Sequence, residues 1–229
     1  MHLLTCACAR EGIGKTCWML AVMLANVVPI YGQHFEITPL FGGRAGGSIT
    51  LRREDQPSQA RANLGDSAIF GVAAGVRFFS EDGCDDCSVV EFRWTRQNTK
   101  LGFKESTPVP TPFAAFGRVP VTLDHYLADF TYEWDIEEAK AVRPFVLGSL
   151  GAARLSTAVS GTTRFAFGLG AGVKLFPQRH WGVRFQVEYL PMVMNAEVQR
   201  VICSGGCVVA LAGGLLNQFE FSLGPVFRF

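Results

Sequence analysis

The stretch that most limits what this chain can become runs from Asn217 to Phe229. Side chains on a strand point alternately to opposite faces. Phe219, Phe221, Leu223, Pro225, Phe227 and Phe229 therefore share one face, and Gln218, Glu220, Ser222, Gly224, Val226 and Arg228 share the other. One side of this strand must leave water and the other carries charge. A strand of this kind is not stable by itself, so the rest of the chain has to supply its neighbours.

Seven earlier segments repeat the pattern. Phe35, Ile37, Pro39 and Phe41 oppose Glu36, Thr38 and Arg44, although Pro39 would ordinarily demote a strand to a sheet edge. Phe70, Val72, Ala74, Val76 and Phe78 oppose Gly71, Ala73, Gly75 and Arg77, and Val90, Phe92 and Trp94 oppose Glu91, Arg93 and Thr95. Tyr126, Ala128, Phe130 and Tyr132 oppose His125, Asp129, Thr131 and Glu133. The segment 142–155 is apolar without a readable phase. Phe165, Phe167, Leu169, Ala171, Val173 and Leu175 then oppose Arg164, the glycines and Lys174, and Trp181 to Tyr189 opposes Arg184, Gln186 and Glu188. Residues 45–67, which are polar, 102–120 and 192–214 read as long loops, the second stiffened by Pro108, Pro110, Pro112 and Pro120. The other connections are short, apart from a moderate one around 156–161.

Elsewhere the sequence mostly excludes. No run reaches the roughly 18 to 20 apolar residues of a spanning helix. Residues 1–32 place Arg10 and Lys15 ahead of the apolar run Cys17–Val28, which predicts a secretory leader cleaved near Gly32 and leaves 33–229 as the mature domain. Ala9 to Thr16 fits a relaxed phosphate-loop pattern, but that loop needs a strand before it and a helix after it, and neither can form there. Of 21 Lys and Arg and 20 Asp and Glu, the leader holds Arg10, Lys15 and Glu11, leaving 19 of each sign. A chain so balanced carries no electrostatic footprint for nucleic acid. No cofactor or metal is expected.

The closing strand, with Phe227 and a final Phe229, resembles that of bacterial outer-membrane β-barrels, and the alternating segments resemble small eight-stranded barrels of the OmpA, OmpX and OmpW kind. The resemblance implies an all-β fold, an up-and-down antiparallel transmembrane barrel of about eight strands, or ten if a long loop hides a hairpin. It implies both termini in the periplasm, outer-membrane lipid around the wall, and recognition of the C-terminal strand by the barrel-assembly machinery. A secreted β-sandwich or lipocalin-like barrel would hide the aromatic face instead, and the strand pattern alone does not separate the two.

In the barrel reading, Phe78, Phe79, Tyr132, Trp134, Phe176, Trp181, Phe227 and Phe229 form the periplasmic aromatic girdle. Glu36, Arg44, Arg77, Glu91, Arg93, Asp129, Glu133, Arg164, Lys174, Arg184, Glu188, Glu220 and Arg228 face the lumen. An eight-stranded lumen is just wide enough to be filled by side chains, so these charges pair and close it or else line a narrow path. Cys84–Cys87 and Cys203–Cys207, at opposite ends, are expected as two local disulfides in an oxidising compartment, not as one zinc site. A lipid-modifying enzyme would need a histidine with a nucleophile; His125 has no such neighbour, and Asp124 points to the other face. The reading reached is an outer-membrane barrel with a structural or surface-interaction role through its long loops; a passive channel and a lipid enzyme are the rivals.

Overall fold

The computed structural model describes residues 34–53, 59–78, 86–103, 118–136, 139, 141–157, 161–194, 201–202, 208–211 and 214–229. The expected leader and its cleavage site lie outside them. The strands are β1 (His34–Ala45), β2 (Ser48–Arg53), β3 (Gln59–Leu64), β4 (Ser67–Phe78), β5 (Asp86–Phe103), β6 (Arg118–Trp134), β7 (Val142–Ser156), β8 (Gly161–Leu175), β9 (Trp181–Met194), β10 (Val201–Ile202), β11 (Val208–Leu211) and β12 (Gly214–Arg228). No helix occurs among the described residues.

Eight strands close a ring in the order β1-β4-β5-β6-β7-β8-β9-β12 and back to β1, every neighbour antiparallel. Starting at His34, the paired residues run through Arg77, Val89, Thr131, Leu147, Gly170, Glu188 and Glu220 and return to β1 at Arg44, ten positions on. At ordinary strand spacings that stagger tilts the strands about 40° from the barrel axis. Closure leaves the ring no free edge, so every backbone donor and acceptor in the wall can find a partner without water.

Pro39 sits inside β1 all the same. Its register position on β12 is occupied by Pro225, between the pairs Ile37–Phe227 and Phe41–Leu223. Two prolines facing each other orphan no N–H. Gly224 lets the chains approach there, since a Cβ on it would lie 1.8 Å from the Pro39 carbonyl oxygen.

The long connection 45–67 is not a loop, and its hairpin does not add staves. β2 and β3 continue the β1–β4 register, Ser48 opposite Asn63 following Arg44 opposite Ser67. The break between them is Gly46-Gly47, at φ 85° and 104°, backbone that only glycine adopts without strain. The wall is thus raised above the ring, and a ten-stranded barrel is excluded. β11 pairs with β2 and β10 with β11 inside the expected loop 192–214. β5 and β6 also overrun their expected ends, with Pro120 opposite Lys100 in the ladder.

The outside is apolar. Leu169 is 69% exposed and Phe219 59%, values that a water-facing surface would not carry in a continuous belt. From Phe219 to Phe229 the outward residues of β12 climb about 33 Å along the strand and about 25 Å along the axis, the height of the apolar band of an outer-membrane barrel. Phe78, Tyr132, Trp181, Phe227 and Phe229 ring the end where β1 begins and β12 finishes, and Phe70, Tyr126, Phe165 and Phe219 ring the other. Phe176 corrects the expected girdle. It follows Leu175 by one position, so alternation turns it inward, and it is only 9% exposed. Phe79 lies outside the described residues.

Candidate functional site

The interior of the wall is built in layers. At the end where β1 begins and β12 finishes, Phe176 is buried and the Arg228 guanidinium lies 3.9 Å above its ring centre. Arg228 reaches Glu36 at 2.8 Å, and Glu36 also accepts from Arg77 at 2.8 Å and Lys174 at 2.7 Å. Glu133 holds the same two cations from β6, at 2.6 Å and 2.5 Å.

Above this layer Arg184 grips Glu91 through both carboxylate oxygens, at 2.9 and 2.7 Å, and lies 4.8 Å over the Phe145 ring. The centre is Arg93, 2.7 Å from Asp129, 2.5 Å from Glu188 and 3.3 Å from Glu220. Ser149 donates to Glu188 at 2.6 Å. Glu220 passes the chain on to Arg44, which also donates to Thr95 and to His125 Nδ1, each at 2.8 Å. Arginine keeps its proton. The His125 Nδ1 must therefore accept, and its hydrogen is assigned to Nε2. Gln97 and Gln218 close the polar zone with a 3.2 Å bond.

Local sequence makes room for these long side chains. Inward positions of β8 alternate glycine with outward apolar residues. A Cβ on Gly168 would stand 2.3 Å from Glu188 Oε1, and one on Gly172 2.4 Å from Phe145 Cζ. The charges are equal in number: Arg44, Arg77, Arg93, Lys174, Arg184 and Arg228 against Glu36, Glu91, Asp129, Glu133, Glu188 and Glu220. Such a network is tolerated out of water only when each charge is paired and hydrogen-bonded.

Beyond it the lumen turns apolar. Leu123 follows His125 by one inward step on β6, Leu190 follows Glu188 on β9, and Leu216 follows Gln218 on β12. With Val121, Leu127, Ala153, Leu155, Ala166, Met192, Met194, Ala62 and Leu64 they form a single packed cluster. This cap does not stand out in the sequence, because alternation marks charged inward positions more plainly than apolar ones. Its signal was present: the inward residues of β6, β9 and β12 are apolar beyond His125, Glu188 and Gln218 respectively. The same cap explains why 142–155 showed no phase. Phe145, Leu147, Ala153 and Leu155 face in while Val146 and Leu150 face out, so both faces of β7 are apolar.

The structure places Glu36, Arg77, Glu91, Arg93, Asp129, Lys174, Arg184, Glu188, Glu220 and Arg228 in the one network. Arg164 also points inward but lies near the far end, beyond Ala166 and half buried. Cys84, Cys203 and Cys207 lie outside the described residues, as does the Cys87 side chain. His125 is fully buried, with Asp124 on the outer face against Arg96 at 2.7 Å. Among the described residues no group of His, Cys, Asp and Glu is arranged to hold a metal.

A solved structure shares this architecture. The outer-membrane protein OprG of Pseudomonas aeruginosa is similar over 86% of this chain and 95% of its own, at 10% identity and a TM-score of 0.52. The fold is that of a small outer-membrane barrel. Neisserial surface protein A covers 87% of this chain and 100% of its own at 14% identity, with a TM-score of 0.42. Ail, the attachment invasion locus protein of Yersinia pestis, covers 85% and 99% at 14% identity, with a TM-score of 0.37. No protein-family description and no curated protein matches the sequence. Identities this low carry the fold and nothing of function. Among the described residues the lumen holds the buried Phe176, the ion-pair network and the apolar cap in succession.

Proposed function

We propose that this protein is an integral barrel of the bacterial outer membrane that acts through the wall standing clear of the lipid, with a structural or surface-interaction role. The observation that carries this reading is a lumen packed with paired charges and apolar side chains, combined with a one-sided extension of the sheet. β5 runs on from Trp94 at the edge of the apolar band to Phe103, about 20 Å further along the axis at ordinary strand rise and tilt. The β2–β3 hairpin and β11 continue the same face. A rigid scaffold carrying variable projecting segments is a common way to build a binding surface.

The reading puts the termini and the girdle of Phe78, Trp181, Phe227 and Phe229 at the periplasmic end, the projecting sheet outside the cell, and export through the periplasm behind the leader. It also makes the C-terminal strand the part read by the assembly machinery. That strand completes the wall: Phe229 N–H donates to the Phe35 carbonyl at 2.9 Å, and Phe35 N–H to the Phe229 carbonyl at 3.3 Å.

Single-channel recording tests the choice. Protein folded into a planar bilayer should pass no steady current. Stable, ion-selective openings would refute a closed lumen and favour the small-solute channel. The lipid-enzyme reading has no support in the geometry, because His125 is sealed inside the barrel away from lipid.

A further inference from the structure

The upper edge of the apolar band is not level. On β9 the outward side stays apolar up to Val193, and on β12 it is uncharged up to Leu215, which is 50% exposed, broken only by Asn217, which accepts from the Tyr189 hydroxyl at 2.7 Å. On β5, β6 and β7 it stops at Trp94, Tyr126 and Ala152. The next outward residues are Arg96, Asp124 and Arg154, which are registered neighbours across the three strands. Lys100 stands two outward positions above Arg96. Among the described residues the exposed cations at this level of the wall lie in this sector, with the exposed Asp66 carboxylate beside it on the β4 side.

The groups in this sector are not equivalent. Asp124 is only 4% exposed although it faces outward. Both of its oxygens are taken by Arg96, at 2.7 Å from Nε and 3.1 Å from Nη2. Arg96 also lies over the Trp94 ring at 5.5 Å. The aspartate is thus spent on fixing one guanidinium, whose Nη1 hydrogens remain for an outside acceptor. Arg154 and Lys100 are exposed and have no hydrogen-bond or ion-pair partner among the described residues. Thr122, donating to Asn98 at 3.1 Å, and Thr163 add neutral polar groups between and beside them. The net charge offered outward is positive, at a fixed depth, beside an aromatic ring.

We infer that this sector binds the phosphates of lipid headgroups, with Arg154 on β7 and Lys100 on β5 as separate direct contacts and Arg96 as a third, held in place by Asp124. Phosphate is matched by guanidinium geometry and by a lysine point charge. A lipid phosphate arrives at this depth already anchored by its chains, so it loses little further freedom on binding. Cations near a membrane surface each strengthen binding of anionic lipid by about fivefold.

The test uses the folded full-length protein in a maltoside detergent, presented with phosphatidic acid or with diacylglycerol of the same chains, and counts retained lipid by native mass spectrometry. Wild type should keep phosphatidic acid and shed diacylglycerol. Arg154→Ala and Lys100→Ala should each weaken retention about fivefold and the double variant about 25-fold, with added salt acting in the same direction. Arg179→Ala, an exposed cation in the turn at the opposite end, should change nothing. Both exposed sites can be altered without touching the lumen, and an unchanged unfolding midpoint checks this. Equal retention of the two lipids, undiminished retention by the double variant, or an equal loss in Arg179→Ala would each overturn the assignment. Displacement of the lipid by inorganic phosphate at matched concentration would overturn it in favour of a soluble-anion site.

Discussion

Arg93 is the residue on which the lumen is most dependent. It is fully buried and within 3.3 Å of three carboxylates from three strands, Asp129, Glu188 and Glu220, with Ser149 at 3.2 Å. Arg93→Met keeps much of the side-chain volume and removes the charge. The three carboxylates are then left facing one another without their shared counter-ion. Breaking a single buried pair costs about 3–5 kcal/mol, because the abandoned charge stays out of water. With three partners abandoned, the expected loss lies near the upper figure, about 5 kcal/mol. Urea unfolding in lipid vesicles, followed by the fluorescence of Trp94, Trp134 and Trp181 in the wall, gives the reading. At a slope of about 2 kcal/mol per molar, the midpoint should fall by about 2.5 M. Adding Glu188→Gln restores the balance of charge and should recover part of the loss, a coupling of about 0.5–3 kcal/mol. A loss below about 1 kcal/mol, or strict additivity of the two substitutions, would refute the claim that this network holds the barrel closed.

Other consequences can be measured in the same assay. Leu190→Ala in the apolar cap should cost about 2–5 kcal/mol, the usual range for a buried leucine. Gly172→Ala should destabilise by about 1–3 kcal/mol, because its Cβ would meet both the Phe185 carbonyl and the Phe145 ring within 2.4 Å. Gly47→Ala should cost about 1–2 kcal/mol through its positive φ alone, whereas excising residues 49–61 with a short turn in their place, which keeps Ala62 and Leu64 in the cap, should leave the ring folded and its midpoint nearly unchanged. Removing Phe229 takes away the last rung of the closing seam, so the fraction of protein recovered folded in the outer membrane of expressing cells should fall; full recovery would count against recognition through the C-terminal strand.

Alternation alone made the wall legible. A strand has a side-chain period of two whatever it packs against, so Phe219 to Phe229, Phe70 to Phe78 and Trp181 to Tyr189 displayed their outward faces without any tertiary information. The inward charges followed from the same parity, including Arg44 and Glu133. The method failed where both faces carry one kind of residue, as on β7, and where a strand passes through a kink, as at Gly46-Gly47. It failed also at Phe176, because a residue just past the end of a strand looks like the girdle until the chain is seen to turn it inward. Pro39 looked like an obstacle until its neighbour across the seam proved to be Pro225, and nothing local connects two positions so far apart in the chain.

The sequence by itself determined the all-β class, the apolar side of every strand of the ring except β7, and which charges lie on the side away from it. These depend on local periodicity and on the cost of leaving charge in hydrocarbon. Only the tertiary structure decided the ring of eight, its ten-residue stagger, the partner of each buried charge, and the apolar cap that completes the seal. Those are relations between strands distant along the chain, set by register around a closed ring, and no single strand contains the information that fixes them.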